Sequence, residues 1–264
     1  MKARLKMIIW PLVYLVLIIN VCISFILVFR SFYYRSIFVS GSSMEPTLHG
    51  NTSDYVDYGL IDDHQTAIKN IKRFQIITSY YPFPDSRDYV GGYKRGENNT
   101  VDTHEASYKI KRVYGLPGET IRFNVDDEKA AAALAVGAPF SEEAQYLARE
   151  AIGFEVKGPG ENDEFVPQSL KFKRKINPEK ISSYKNFEFT LGDDEYWIMG
   201  DNYSASSDCF NKKAPIYLDN IVGILISIEG TCKIQSNVEV DPTDDGTKVS
   251  YKCTNRKRHL PVYY

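Results

Sequence analysis

Tyr108-Lys109-Ile110-Lys111-Arg112-Val113-Tyr114-Gly115-Leu116-Pro117-Gly118-Glu119 reads as a β-strand over Lys109 to Tyr114, closed by a Leu-Pro-Gly turn. Alternation along a strand sends Lys109 and Lys111 to one face and Ile110 and Arg112 to the other. A cationic lysine on an inner face is costly, so its presence there calls for a functional reason.

Working outward, most of the chain reads the same way. Ser31 to Val39 and Phe74 to Thr78 have strand-like composition, and Asp54 to Leu60 reads as a strand and turn. Ala67 to Arg73 carries helical spacing with a basic face, and Pro82 to Asn99 reads as a surface loop. From 123 to 186 the character changes. Asp126 to Val136 is Ala-rich and helix-favouring, and Ser141 caps a second predicted helix running to Glu150. Phe187 to Ile228 returns to strand-like text. With 19 tyrosines among 264 residues, the expected fold is mainly β.

The formal net charge of −2, with both signs well mixed, argues against nucleic acid as a partner. The stretch from Met7 to Phe29 carries no charge. As a helix it reaches about 34 Å at about 1.5 Å per residue, enough for a hydrocarbon core of about 30 Å. A cleaved secretory leader is the rival reading. The apolar run is too long for one, and Val21-Cys22-Ile23-Ser24 makes a poor cleavage site. A retained single-span anchor is therefore expected. Lys2, Arg4 and Lys6 precede it and Arg30 and Arg35 follow, which points the N-terminus to the cytoplasm by a narrow margin. Ile221 to Ile228 is apolar but short, and suits a buried strand.

Of the four cysteines, Cys22 falls in the apolar span. Cys232 and Cys253 flank the turn signal Asp241-Pro242-Thr243-Asp244-Asp245-Gly246, so a hairpin brings them near each other and a disulfide is expected if the domain faces outward. No His/Cys/carboxylate cluster has metal-ligand spacing, and neither metal nor cofactor is expected.

A serine nucleophile needs a neighbouring base. The four histidines, His49, His64, His104 and His259, sit in no serine–histidine signature, and no Gly-x-Ser-x-Gly elbow is present. Lysine serves as a base when burial lowers its pKa by several units from about 10.4. Two further blocks bear on this. Ser40-Gly41-Ser42-Ser43-Met44-Glu45-Pro46-Thr47 follows the apolar span, and Tyr196-Trp197-Ile198-Met199-Gly200-Asp201-Asn202 comes last. Taken singly, Ser43 reads as a turn residue and Lys111 as a solvated lysine, and Ser40 and Ser42 are equally available by chemistry alone.

The three blocks, in this order and behind this anchor, resemble those of a type I signal peptidase, a membrane-bound serine protease with a Ser–Lys dyad. The resemblance covers roughly residues 37–60, 74–121 and 196–228. It implies Ser43 as nucleophile and Lys111 as general base. It implies supporting roles for Ser206, which would orient the lysine amine, for Asp208 behind the dyad, and for Gly41, where some members carry a serine hydroxyl donor to the oxyanion. Ile37, Val39, Met44 and Ile110 are expected to line small apolar substrate pockets, into which an extended substrate sends alternate side chains. The implied substrates are secretory preproteins with Ala-x-Ala-like cleavage sites, cut at the outer membrane surface, with the lipid membrane as the other partner.

The implied fold is an antiparallel β catalytic core with an α/β insertion domain, preceded by one transmembrane helix. It divides into an anchor (1–30), a first core segment (31–122), an insertion (123–186), a second core segment (187–236) and a C-terminal hairpin and tail (237–264). The chain departs from the family pattern after the third block. Tyr203 and Cys209-Phe210 stand where arginine and Ser-Arg are usual, so an Asp208–arginine salt bridge is not expected. The rival readings are a non-proteolytic signal-peptidase-like assembly factor for surface polymers such as pili, and a tethered adhesion module. The latter leaves the three blocks unexplained.

Overall fold

The computed structural model describes residues 2–50, 55–80, 108–139, 141–160, 162–168, 176–202, 205–239 and 248–255, with the backbone alone for 2–8, 29–33, 233–239 and 248–255. The loop expected over Pro82 to Asn99, the turn expected at Asp241 to Gly246 and Tyr203 lie outside these residues. The chain divides into two units, 1–35 and 36–264.

The first unit is dominated by α1 (Lys2–Tyr33), which carries Pro11 within it. Its stretch Ile9–Val28 is long and apolar enough to cross a membrane, and its large apolar side chains are exposed. The helix continues through Tyr33, into the stretch whose composition reads as strand. Once nucleated, each further helical residue adds a hydrogen bond, and nothing in the composition at Ser31 marks a stop.

The second unit is mainly antiparallel β-sheet. One sheet holds β1 (Tyr34–Phe38), β2 (Tyr55–Asp62), β3 (Ile76–Tyr80), β4 (Tyr108–Gly115), β9 (Glu195–Met199), β10 (Ile216–Tyr217), β11 (Ile221–Glu239) and β12 (Lys248–Asn255). Its order is β1-β2-β11-β3-β4-β9-β10, with β12 also paired to β11. Register shifts along β11 at Leu225/Ser227 and Ile228/Gly230 mark bulges, which bend a strand and help the sheet curl into a half-barrel. The other sheet is β7 (Val166–Gln168), β6 (Ile152–Lys157), β5 (Thr120–Val125) and β8 (Phe187–Thr190), in that order.

β4 leads directly into β5 through the Leu-Pro-Gly turn, where the Glu119 N–H donates to the Leu116 carbonyl at 3.2 Å. The Glu119 carboxylate fixes that turn by accepting from the Leu116 N–H at 2.7 Å and from Arg73 at 2.6 Å. The helix expected over Ala67 to Arg73 is instead α2 (Gln65–Ile68), capped by His64 and ending at Lys69. Asn70 bonds back to the Thr66 carbonyl at 2.7 Å, and Phe74, at φ 66°, turns the chain into the Val113 carbonyl of β4. The demands of the sheet override a helical pattern of this length. α3 (Asp127–Ala135) and α4 (Glu142–Glu150) begin at the caps Asp126 and Ser141, whose side chains accept from Lys129 N at 3.1 Å and Ala144 N at 3.2 Å.

One hydrophobic core runs through both sheets, from Ile77, Val113 and Trp197 to Phe123, Phe154, Tyr184 and Phe210. A second cluster gathers Val39, Met44, Leu48, Ile61, Ile76, Ile110, Leu225 and Ile228, with Ile37 and Val222 packed against it. At β11–β12 the pairings Thr231↔Asn255 and Lys233↔Lys252 bracket the backbones of Cys232 and Cys253. Cys232 is disulfide-bonded, whereas Cys22 and Cys209 are free.

Candidate active site

Ser43 lies on the segment between β1 and β2, and Lys111 lies in β4, paired with Ile77 of β3. The Lys111 Nζ stands 2.7 Å from the Ser43 Oγ and donates to its neighbour's carbonyl, Ile110 O, at 2.9 Å. Lys111 is 3% exposed. Burial lowers its pKa from 10.5 to about 8, helped by the Lys109 charge and opposed by Asp208 and Asp201. A lysine so placed is substantially neutral at mildly alkaline pH, the state in which its lone pair accepts a proton.

The third block holds the serine segment in place. The Asn202 N–H donates to the Ser43 carbonyl at 2.9 Å, and its side-chain amide donates to the Ser42 carbonyl at 3.0 Å. Thr47 donates its hydroxyl to Asp201 at 2.5 Å. Asp201 in turn receives Arg112 through Nε at 2.9 Å and Nη2 at 2.7 Å, with both side chains fully buried. A third guanidinium nitrogen, Nη1, donates to the Phe74 carbonyl at 2.9 Å. Arg112 and Asp201 thus join the second and third blocks, and Thr47 joins the first. Sequence reasoning did not assign Arg112, Asp201, Asn202 and Thr47 to the site, although all four lie inside the quoted blocks. The signal that would find them is a buried arginine beside a buried lysine, which calls for a carboxylate partner.

Gly200 shows how tightly the blocks meet. A Cβ there would collide with the Ser206 hydroxyl and come 2.5 Å from the Ser43 carbonyl. Only glycine lets this backbone pass between them.

The Ser206 hydroxyl donates to Asp208 at 2.6 Å, while the Lys111 amine is bonded to Ser43 and Ile110. Ser206 is therefore tied to Asp208, which also holds the Gly200 N–H, and makes no direct bond to the Lys111 amine. Asp208, 1% exposed, also accepts the Gly200 N–H at 2.8 Å and caps α5 (Cys209–Lys212) at Phe210 N, 3.1 Å. Phe210, at the position where arginine is usual, is fully buried, stacked on Tyr184 with ring centroids 4.2 Å apart and packed on Phe187 at 5.0 Å. The Lys213 ammonium lies 3.9 Å above the Phe210 ring. Cys209 is buried, its thiol pushed up by that burial, and its Sγ accepts the Ile198 N–H at 3.4 Å. Gly41 adopts φ 79° and is exposed.

Of the four residues expected at the substrate pockets, Val39, Met44 and Ile110 are buried at 1%, 0% and 8%, and Ile37 is half-buried. All four belong to or pack against one cluster. Among the described residues no group of three or more His, Cys, Asp or Glu side chains is disposed to hold a metal.

Comparison with known proteins matches the sequence to one family. The family model described as "Signal peptidase, peptidase S26" matches residues 12–228. "Signal peptidase I" of Bacillus licheniformis is 26% identical over 198 residues, covering 75% of this chain and 77% of that protein. "Signal peptidase I P" of Bacillus subtilis subsp. natto is 27% identical over 208 residues, covering 77% and 82%. With three sequence blocks converging on one buried lysine and one serine, and a family match spanning most of its length, the chain belongs to the signal peptidase family, peptidase S26.

Proposed function

We propose that this protein is a membrane-bound serine endopeptidase that removes signal peptides from secretory preproteins. The observation that carries the reading is the 2.7 Å approach of the Lys111 amine to the Ser43 hydroxyl, with the lysine desolvated. The neutral Lys111 amine takes the Ser43 proton as Oγ attacks the scissile carbonyl carbon. The resulting ammonium then protonates the departing amine as the peptide C–N bond breaks, which leaves the signal peptide esterified to Ser43. Water, deprotonated by the same amine, cleaves that ester. The Ser43 backbone N–H is the proposed donor to the developing oxyanion.

Ile37 and Ile110 are proposed to rim the substrate pockets, with Val39 and Met44 as their floor. Small pockets of this kind admit the Ala-x-Ala-like ends of signal peptides and exclude larger side chains. α1 serves as a single-pass anchor. The catalytic unit is placed on the extracytoplasmic side, a reading supported by the charges flanking the span and by the disulfide at Cys232, since disulfides persist in oxidising compartments. The non-proteolytic assembly-factor reading is not favoured, because both members of the dyad are present and in contact.

The test is cleavage of a preprotein with an Ala-x-Ala site by the full chain in detergent, beside Ser43→Ala and Lys111→Ala. Cleavage by the wild type alone is expected. Equal cleavage by all three, or none where a known signal peptidase cuts, refutes the reading.

A further inference from the structure

The segment from Val39 to Gly50, which carries Ser43, closes on itself. A Cβ at Gly50 would strike the Gly41 carbonyl oxygen, so the two ends touch backbone to backbone. Asp57 of β2 stands at this neck. Its carbonyl accepts the Val39 N–H at 2.9 Å, and its own N–H donates to the His49 carbonyl at 2.8 Å. Its carboxylate accepts the His49 N–H at 2.8 Å through Oδ2 and the Thr231 hydroxyl at 2.9 Å through Oδ1. The His49 ring nitrogen Nδ1 lies a further 3.4 Å from Oδ2, on an exposed side chain. Asp57 itself is 1% exposed.

We propose that Asp57 is a positioning residue for Ser43, its carboxylate holding the nucleophile segment closed against β2 and β11. The inference rests on the Ser43–Lys111 reading and extends it. One residue binds the entry of the segment at Val39 and its exit at His49, and Thr231 ties the same carboxylate to the long strand β11. The two donors arrive from different elements, and the two carboxylate oxygens of this one buried side chain meet them both. Losing it leaves the His49 N–H at the end of the segment without its acceptor, a cost that opening the neck to water relieves. Asn202 and Thr47 hold the middle of the segment, and the backbone bonds of Asp57 to Val39 and His49 remain without its carboxylate, so its loss loosens the exit of the segment at the His49 N–H and at Thr231. A nucleophile held by a 2.7 Å hydrogen bond is sensitive to such freedom, because a displacement of about 1 Å costs up to about a hundredfold in rate.

The experiment compares full-length wild type, Asp57→Ala, Asp57→Asn, Thr231→Val and Ser43→Ala on a fluorogenic Ala-x-Ala peptide in detergent, with active sites titrated by the acyl-enzyme burst. Asp57→Ala is expected to lower kcat per titrated site about tenfold with KM unchanged. Asp57→Asn is expected to restore most of it, since its side-chain carbonyl accepts from the His49 N–H and its amide donates to the Thr231 hydroxyl. A variant that is merely unstable loses titratable sites and keeps kcat per site, an outcome that overturns the proposal. If Asp57→Ala does not accumulate, Thr231→Val decides: it leaves the carboxylate free on one side, and an unchanged kcat per site overturns the proposal while a fall of about threefold supports it. Full activity in Ser43→Ala instead refutes the dyad reading on which the inference stands.

Discussion

The Arg112 guanidinium clasps the Asp201 carboxylate through two nitrogens, and neither side chain has any exposed surface. This pair, one residue from Lys111 and one from Asn202, is the junction at which the three sequence blocks meet. Removing one member leaves the other charge buried and uncompensated. Arg112→Met and Asp201→Ala are each expected to cost about 3–5 kcal/mol in denaturant unfolding of the detergent-solubilised chain. Replacing both, as Arg112→Met with Asp201→Leu, recovers most of that loss. A cost below about 1 kcal/mol for the single changes, the level of an exposed pair, contradicts the burial of these two side chains.

The proposed dyad carries an expected pH dependence. Burial holds the Lys111 pKa at about 8, below its ordinary 10.5. A protonated amine cannot accept the Ser43 proton, so kcat/KM is expected to rise with pH through a midpoint at about 8 and to level off at more alkaline pH. A midpoint near 10.5, read from the pH profile of peptide cleavage, would show the amine to be solvated.

Asp208 moves that midpoint. Its carboxylate is the leading influence raising the Lys111 pKa against burial. Asp208→Asn removes the charge while keeping an acceptor for the Ser206 hydroxyl and the Gly200 N–H. The rising limb of the pH profile is expected to shift to lower pH. An unchanged limb with reduced kcat would leave Asp208 only its capping role.

Phe210 is not an arginine site that happens to hold phenylalanine. Its ring is stacked on Tyr184 and covered by Lys213, so Phe210→Arg would bury a charge beside an existing cation. The variant is expected to lose more than about 3 kcal/mol of stability, by thermal or denaturant melting. Gain of activity without loss of stability would mean that the family's usual ion pair can be built here.

Much of the site is legible in the sequence. The resemblance of the three blocks singles out Ser43 and Lys111, whose side chains the structure sets 2.7 Å apart, and Ser141 announces α4 by a rule that needs no tertiary context. The curl of the sheet is less visible, since β11 is a single 19-residue strand whose partners change from β3 to β2 to β12 along its length. No local pattern encodes that exchange. Alternation puts Arg112 on the face opposite Lys111, which in a half-exposed strand would meet solvent, yet β4 is buried on both faces from Ile110 onward. Which carboxylate meets it is a long-range fact, since Asp201 lies 89 residues away in sequence. The short α2 departs from expectation for the opposite reason: its helical spacing is real, but the chain beyond it answers to β4 through Phe74.

The continuous core has a practical bearing on truncation. Tyr184 and Phe123 from the 123–186 stretch share one apolar interior with Trp197, inside the third block, and Phe210, beyond its end. Excising that stretch to obtain a minimal protease would strip the cover from α5, the element that Asp208 begins, and leave aromatic faces open to water. Shortened versions of this chain are expected to expose those faces, and their aggregation by light scattering would report it.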